Sequence, residues 1–416
     1  MFQEALLQIR NLLAVGDVRR AETSIAKLLR SELSPQEEAE VLALRARARL
    51  LAARPEEALD DIAYARQRID DRSLQTELIE LTGDAHFARF ELASVGFADR
   101  SYVRAAQECY DQIIRETPDY RNMGWLHYQS GRIHLTDGHI DEAIQCFVDA
   151  LLSPSPLPGL TAFCFERLGF VHVYEKRDLK RALGFLDKAL HTYPASEPRV
   201  WIVRLQTLRA RVLKEVGRTG DAIDAIETAI AIAQQNDDTR IALADAILNA
   251  GELYSQVGGH DKEVVSRLQQ YLQITRKPPG IDVTWSRVHE MLGSAYFNLG
   301  QYSASAAAFG DALTYNPYHP WEATLQYQIA RAHYHADDYE RAVAAIEKLI
   351  TSAANDGQPV GDYRVYDILA SAQFARKRYA DALTAYDQAL ALAPPHVDLD
   401  KLKRYRQFAA ELLGRV

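Results

Sequence analysis

Ten times along the chain a small residue is followed four positions later by a bulky apolar one. The pairs are Ala21/Ile25, Ala58/Ile62, Ala106/Tyr110, Ala143/Phe147, Ala182/Leu186, Ala222/Ile226, Val264/Leu268, Ser305/Phe309, Ala342/Ile346 and Ala382/Tyr386. A four-residue step returns to the same face of an α-helix, so each pair marks the apolar stripe of one helix. Successive pairs lie 37 to 48 residues apart, the length of a helical hairpin. A period in this range, filling the chain, predicts a stack of two-helix repeats in which each unit buries its stripe against its neighbours. Only Val264 and Ser305 depart from Ala at the first position.

Val283 to Pro317 is the reference unit. Its first helix carries Leu292, Gly293 and Tyr296; Gly300, Gln301 and Tyr302 form the turn; Phe309 and Ala312 lie on the second helix, which Pro317 stops. Gly293 and Ala312 are small where two helices approach closely, and Tyr296, Tyr302 and Phe309 fill the space around them. Proline ends the second helix because it cannot continue the hydrogen-bond ladder. Gly or Ala takes the close-approach position in nearly every unit, at Ala46, Gly83, Gly131, Gly169, Ala210, Gly251, Gly293, Ala330 and Ala370. These residues resemble the tetratricopeptide repeat family, whose 34-residue unit is a helix-turn-helix with a W-L-G-Y…A-F-A…P pattern. The resemblance covers essentially the whole chain. It implies an all-α fold, a right-handed superhelical α-solenoid of about ten repeats closed by a C-terminal capping helix.

Every spacing exceeds the family period, and the largest excess falls in the third unit at 89–102, where extra helical turns with Gly96 at the bend are expected. Ser153 to Gly159 (SPSPLPG) and Arg276 to Gly280 (RKPPG) read as breaks in the stack, because proline interrupts helices and fixes local direction. The predicted organisation is therefore 1–152 for units 1–4, 160–275 for units 5–7, 281–395 for units 8–10 and 396–416 for a solvating helix. In that last helix Leu402, Tyr405, Ala409 and Leu412 form one stripe.

A net charge of −9 argues against a general nucleic-acid or anionic-membrane surface. Three cysteines, Cys109, Cys146 and Cys164, form no CxxC pair, and no apolar run reaches bilayer length, so a cytoplasmic location without membrane insertion is expected. No Gly-Lys dipeptide and no GxGxxG motif is present. His289-Glu290 begins like a zinc-protease helix, but Gly293 stands where the second histidine belongs. His86, His134, His172 and His333 all fall three residues after the close-approach position and read as spacers between helices. The Arg45, Arg47, Arg49 and Arg54 cluster reads as a solvated helix rather than a nucleic-acid stripe. No catalytic constellation, cofactor motif or metal-ligand set is found, so a non-enzymatic role is expected.

In the tetratricopeptide family the first helices of successive repeats line a concave groove that holds ligands. The lining positions correspond here to one residue after the Gly/Ala position and three before it. They bring Tyr128 with Arg132 and Tyr327 with Arg331 onto one face as i, i+4 pairs, with Trp125 and Tyr334 nearby and with Phe170 and Arg211 at equivalent places. Aromatic residues and arginine dominate binding hot spots, and arginine can grip a carboxylate with two hydrogen bonds. One expectation is a protein or peptide partner with acidic and apolar anchors, held by Trp125, Tyr128, Arg132, Phe170, Arg211, Tyr327, Arg331 and Tyr334. The other is that these arginines bridge to carboxylates such as Glu166 and Glu290 within the stack. The functional expectation is an interaction scaffold or adaptor. The alternatives are a sensor whose superhelix changes shape on binding a peptide or small ligand, and a scaffold that self-associates into a homo-oligomer.

Overall fold

The computed structural model describes residues 2–14, 16–93, 99–194, 198–235, 239–355, 357, 359–394 and 399–414. These residues form 21 helices and no strand. The chain divides into two compact units, Met1–Arg218 and Thr219–Val416. The first holds α1 (Phe2–Ala14), α2 (Val18–Leu28), α3 (Pro35–Leu51), α4 (Pro55–Arg66), α5 (Arg72–Leu92), α6 (Arg100–Glu116), α7 (Met123–Thr136), α8 (Ile140–Leu152), α9 (Leu160–Tyr174), α10 (Leu179–Thr192) and α11 (Arg199–Glu215). The second holds α12 (Thr219–Gln234), α13 (Arg240–Val257), α14 (Asp261–Ile274), α15 (Val283–Asn298), α16 (Tyr302–Tyr315), α17 (Glu322–His335), α18 (Tyr339–Asn355), α19 (Tyr363–Ala375), α20 (Tyr379–Leu392) and α21 (Asp400–Leu413).

Within each unit, sequential helices pack as antiparallel neighbours, and hairpin follows hairpin. All twenty residues of the ten small/bulky pairs are buried, none more than 3% exposed. The close-approach glycines explain why. A Cβ placed at Gly293 would lie 2.7 Å from the Phe309 ring, and one at Gly251 would lie 2.3 Å from Leu268. The same holds for Gly83 against Tyr110, Gly131 against Phe147 and Gly169 against Leu186. The bulky residue of the second helix therefore sits on bare backbone of the first, and overfilling that contact costs about 1–3 kcal/mol. Ser305 departs from Ala without penalty because its hydroxyl donates to the Gly293 carbonyl at 2.7 Å.

The turn inside each described hairpin contains a left-handed residue. Gly16, Gly138, Gly217, Gly258, Gly259 and Gly300 supply it in five hairpins. Ala53, Arg177, Asp337 and Lys377 adopt φ of 55° to 61° in four others, where a side chain bears a conformational cost that glycine avoids. The Pro-rich segments join helices: 153–159 lies between α8 and α9 inside the first unit, and 276–280 between α14 and α15 inside the second. The division between the two units falls after Arg218, between α11 and α12. In the third hairpin α5 continues to Leu92, nine residues past Gly83, whereas α15 stops at Asn298, five past Gly293. Gly96 lies outside the described residues.

First helices of successive hairpins also touch one another, α1 with α3, α3 with α5 and α7 with α9 in the first unit, α13 with α15 and α17 with α19 in the second. Each unit thus has a face made of first helices, and its polar residues decide what that face can do. On α21, Leu402 and Ala409 are buried, while Tyr405, Phe408 and Leu413 are at least two-fifths exposed.

Candidate binding face

The first-helix face of the first unit is centred on carboxylates of α5. Glu80, 1% exposed, accepts from the Tyr120 hydroxyl at 2.7 Å and from the Asn122 amide at 3.0 Å, and Arg47 approaches it to 3.4 Å. Asp84 accepts from the Tyr110 hydroxyl at 2.8 Å, the Trp125 indole N–H at 3.1 Å and the Gln129 amide at 3.1 Å. Glu77 holds Arg47 at 3.3 Å and Arg121 at 3.0 Å. The network continues outward, since the Ser155 hydroxyl donates to Asn122 Oδ1 at 2.8 Å and the Gly124 N–H to the Pro154 carbonyl at 2.9 Å. The proline-rich 153–159 segment is thereby tied to α7. Burial, assisted by the nearby Asp84 charge and opposed by Arg47, pushes the Glu80 carboxyl up to about 7. Burial raises Asp84 as well.

Arg132 belongs to this network. Its guanidinium donates to Gln129 Oε1 at 2.7 Å, pairs with Glu91 and lies 4.8 Å over the Phe87 ring. Trp125 is bonded to Asp84, and Tyr128 is buried between the Trp125, Phe147 and Phe163 rings. Of the eight sequence-derived residues, these three are therefore engaged by their own chain. Arginines do bridge to carboxylates here, but the acceptors are Glu77, Glu80 and Glu91. Glu166 is instead buried near Arg167 and Arg204, with its carboxyl raised by burial, and Glu290 faces His319 at 3.5 Å. The arginine cluster of α3 is corrected in the same way. Arg45 and Arg49 grip the buried Asp61 at 2.5 and 2.6 Å, and Arg54 pairs with Glu22 and Glu57, so these cations are internal ties rather than a solvated face.

Two places are open. Phe170 stacks on Tyr174 with ring centroids 5.7 Å apart, and Tyr174 accepts a 3.3 Å hydrogen bond from the exposed Arg211. In the second unit Arg331 lies 4.1 Å over the Phe297 ring and donates to Gln328 Oε1 at 3.4 Å. Tyr327 stands beneath Arg364 at 6.0 Å, and Tyr334 packs against His335 and Tyr339. Neither Arg211 nor Arg331 has a carboxylate at ion-pair distance among the described residues. Elsewhere on the same face Arg287 pairs with Glu252, and Arg364 with Asp362.

No group of His, Cys, Asp or Glu among the described residues could hold a metal ion, and none of the described helices is long and apolar enough to cross a membrane. The tetratricopeptide repeat family model matches residues 290–359, the stretch that contains Gly293, Phe309, Arg331 and Ile346 in the spacing set out above. Residues 290–359 carry tetratricopeptide repeats. The match spans part of α15, all of α16 to α18 and the connection after α18, and the same buried pairs recur in the hairpins on either side.

Among solved structures, the tetratricopeptide chain is similar to a tetratricopeptide repeat protein from Parabacteroides merdae, at 17% identity over 72% of this chain and 98% of that one, with a TM-score of 0.38. It is also similar to the C-terminal part of a repeat-containing protein from Cytophaga hutchinsonii, at 18% identity over 67% of this chain and 98% of that one, TM-score 0.44. A third is YrrB, a tetratricopeptide protein with an unusual peptide-binding site, at 16% identity over 50% and 91% of the two chains, TM-score 0.38. No curated protein matches the chain in sequence.

The residues that sequence reasoning missed are Glu77, Glu80, Tyr120 and Asn122, which build the first unit's network, together with Phe297 and His335 beside Arg331. One signal was available. Arg47, Glu80 and Asp84 all stand at face-lining positions of adjacent units, so opposite charges were already aligned one repeat apart.

Proposed function

We propose that this chain is a non-enzymatic interaction scaffold that binds a partner polypeptide along the first helices of its tetratricopeptide array. The observation that carries the reading is Arg331, a cation held over an aromatic ring, on a helix face, with no carboxylate at ion-pair distance among the described residues. A guanidinium in that state retains most of its hydrogen-bonding capacity for an incoming acceptor, and the ring beneath it fixes its direction. The Arg211, Tyr174 and Phe170 group of the first unit offers a second place of the same composition.

The test is affinity capture of partners with the full chain, followed by crosslinking mass spectrometry. Crosslinks concentrated on α9, α11, α15, α17 and α19 are the expected result. Crosslinks confined to second helices, or to α1 and α21 alone, would overturn a first-helix binding face.

A further inference from the structure

Arg132 and Arg331 occupy the same register of their repeats, one residue after Gly131 and Ala330. Each lies over a repeat-equivalent phenylalanine, Phe87 or Phe297, and each donates to a glutamine three residues earlier, Gln129 or Gln328. The surroundings then diverge at two positions. Asp84, one residue after Gly83, is replaced by Ser294 after Gly293, and Ser294 is exposed. Glu91, eight residues after Gly83, is replaced by Gln301. Glu91 reaches Arg132 from the extra turn of α5, whereas Gln301 sits at the N-cap of α16, after its helix has ended. The helical extension of the third hairpin thus supplies the counter-ion in one unit, and the shorter α15 leaves the equivalent cation unmatched in the other.

A second cation lies on the same face. Lys401, exposed on α21, has no carboxylate at ion-pair distance among the described residues. Burial holds the His335 imidazole below its ordinary range, and the charges of Arg331 and then Lys401 add to this, so both cations lie within electrostatic reach of one ring. That ring stacks on Tyr302 at 5.1 Å and meets Phe297 and Tyr334 edge-on. None of the nearby carboxylates pairs with Arg331 among the described residues. Asp362 chelates Arg364 and Glu290 faces His319, while Asp367 accepts from Ser371 at 3.4 Å and feels the Lys401 charge, which opposes the rise that burial gives its carboxyl.

We infer that the first-helix face from α15 to α21 is a site for an acidic polypeptide segment, with Arg331 as its anchor, Lys401 as a second cationic contact and Phe297, Tyr327 and Tyr334 taking apolar side chains between the acidic ones. This rests on the scaffold reading and narrows it to one unit and one partner chemistry. Complementarity of charge selects the occupant, because an unpaired Arg331 and an exposed Lys401, set among aromatic rings, match alternating carboxylates and apolar groups.

The test uses the full chain and two fluorescein-labelled peptides, one alternating Glu and Leu and one alternating Gln and Leu, read by anisotropy. The acidic peptide is expected to bind at least tenfold tighter than its neutral counterpart, with affinity falling as salt rises. Arg331→Gln should weaken it by about tenfold or more, Lys401→Gln by a smaller factor, and Arg132→Gln by less than about twofold. Circular dichroism melts of each variant separate lost binding from lost folding. Equal binding of the two peptides, no binding of the acidic one, or full retention by Arg331→Gln would overturn the inference. So would an oligothymidylate that competes as well as the acidic peptide. Crosslinks on first helices combined with an unaffected Arg331→Gln variant would sink this inference while leaving the scaffold reading intact.

Discussion

Two hairpin faces built from the same residues behave differently in the two units. Around Arg132, a tyrosine, a glutamine and a phenylalanine are joined by acids from α5, and the cation is paired with Glu91. Around Arg331 the tyrosine, glutamine and phenylalanine recur and the acids do not. The lesson is that residue type at a lining position does not define a binding site. What defines it is whether the neighbouring repeat completes or withholds the charge balance. A buried, satisfied network holds hairpins together. The same cation left open is available to a partner.

The comparison can be broken by variants. The largest expected effect is from Asp84→Ala, which strips the buried Tyr110 and Gln129 and the partly buried Trp125 of their acceptor and should cost about 3 kcal/mol in urea unfolding. Ser294→Ala, at the equivalent place in the second unit, should stay within about 0.5 kcal/mol. Equal costs would mean that the first unit's network is no more structural than the second unit's open face.

Glu80 gives the first unit a pH signature near neutrality. Its folded-state carboxyl stands at about 7, above its unfolded value, so the folded chain holds the extra proton between about pH 4.5 and about 7. The contribution is therefore most favourable below that window and is lost as pH rises through it. Glu80→Gln should flatten the decline of unfolding free energy measured between about pH 5 and about pH 8. An unchanged slope would assign the proton elsewhere.

Glu91→Gln should free Arg132 of its ion pair, as Arg331 is free, with Gln129 and Phe87 still beside it and Asp84 the one remaining difference. Calorimetry with the alternating Glu and Leu peptide is then expected to detect one additional site, with stability changed by less than about 1 kcal/mol because the lost ion pair is partly exposed. The smallest effect should be common to both units. Arg177→Gly and Lys377→Gly relieve left-handed side-chain conformations in the two units, and each should stabilise by about 0.5–1 kcal/mol in thermal melts. A gain in one unit only would show that the hairpin scaffolds themselves differ.

The fold was legible in the sequence because one contact type repeats. Gly293 against Phe309, and its equivalents elsewhere, needs a small residue and a bulky one at fixed places, and periodicity exposes both. Even the exception at Ser305 sits in phase, although the Gly293 carbonyl that accepts its hydroxyl could not be foreseen. The binding face was legible only in part. Residue spacing brought Tyr128/Arg132 and Tyr327/Arg331 to equivalent positions and aligned Arg47 with Glu80 and Asp84, but it did not show which side chains of a different hairpin complete the contacts. Asp84 gathers Tyr110, Trp125 and Gln129 from two other helices, and Glu91 meets Arg132 only because α5 runs a turn longer than α15.

The Glu77, Glu80 and Asp84 network has one more consequence. Repeat arrays resemble a one-dimensional chain of weakly coupled elements, each opening with help only from its immediate neighbours. The α5 carboxylates hold α3 on one side and α7 on the other, so three successive hairpins share one set of polar bonds. Their amide protons should therefore exchange with solvent as one cooperative block, while the hairpins around Arg331 open singly from the end inward.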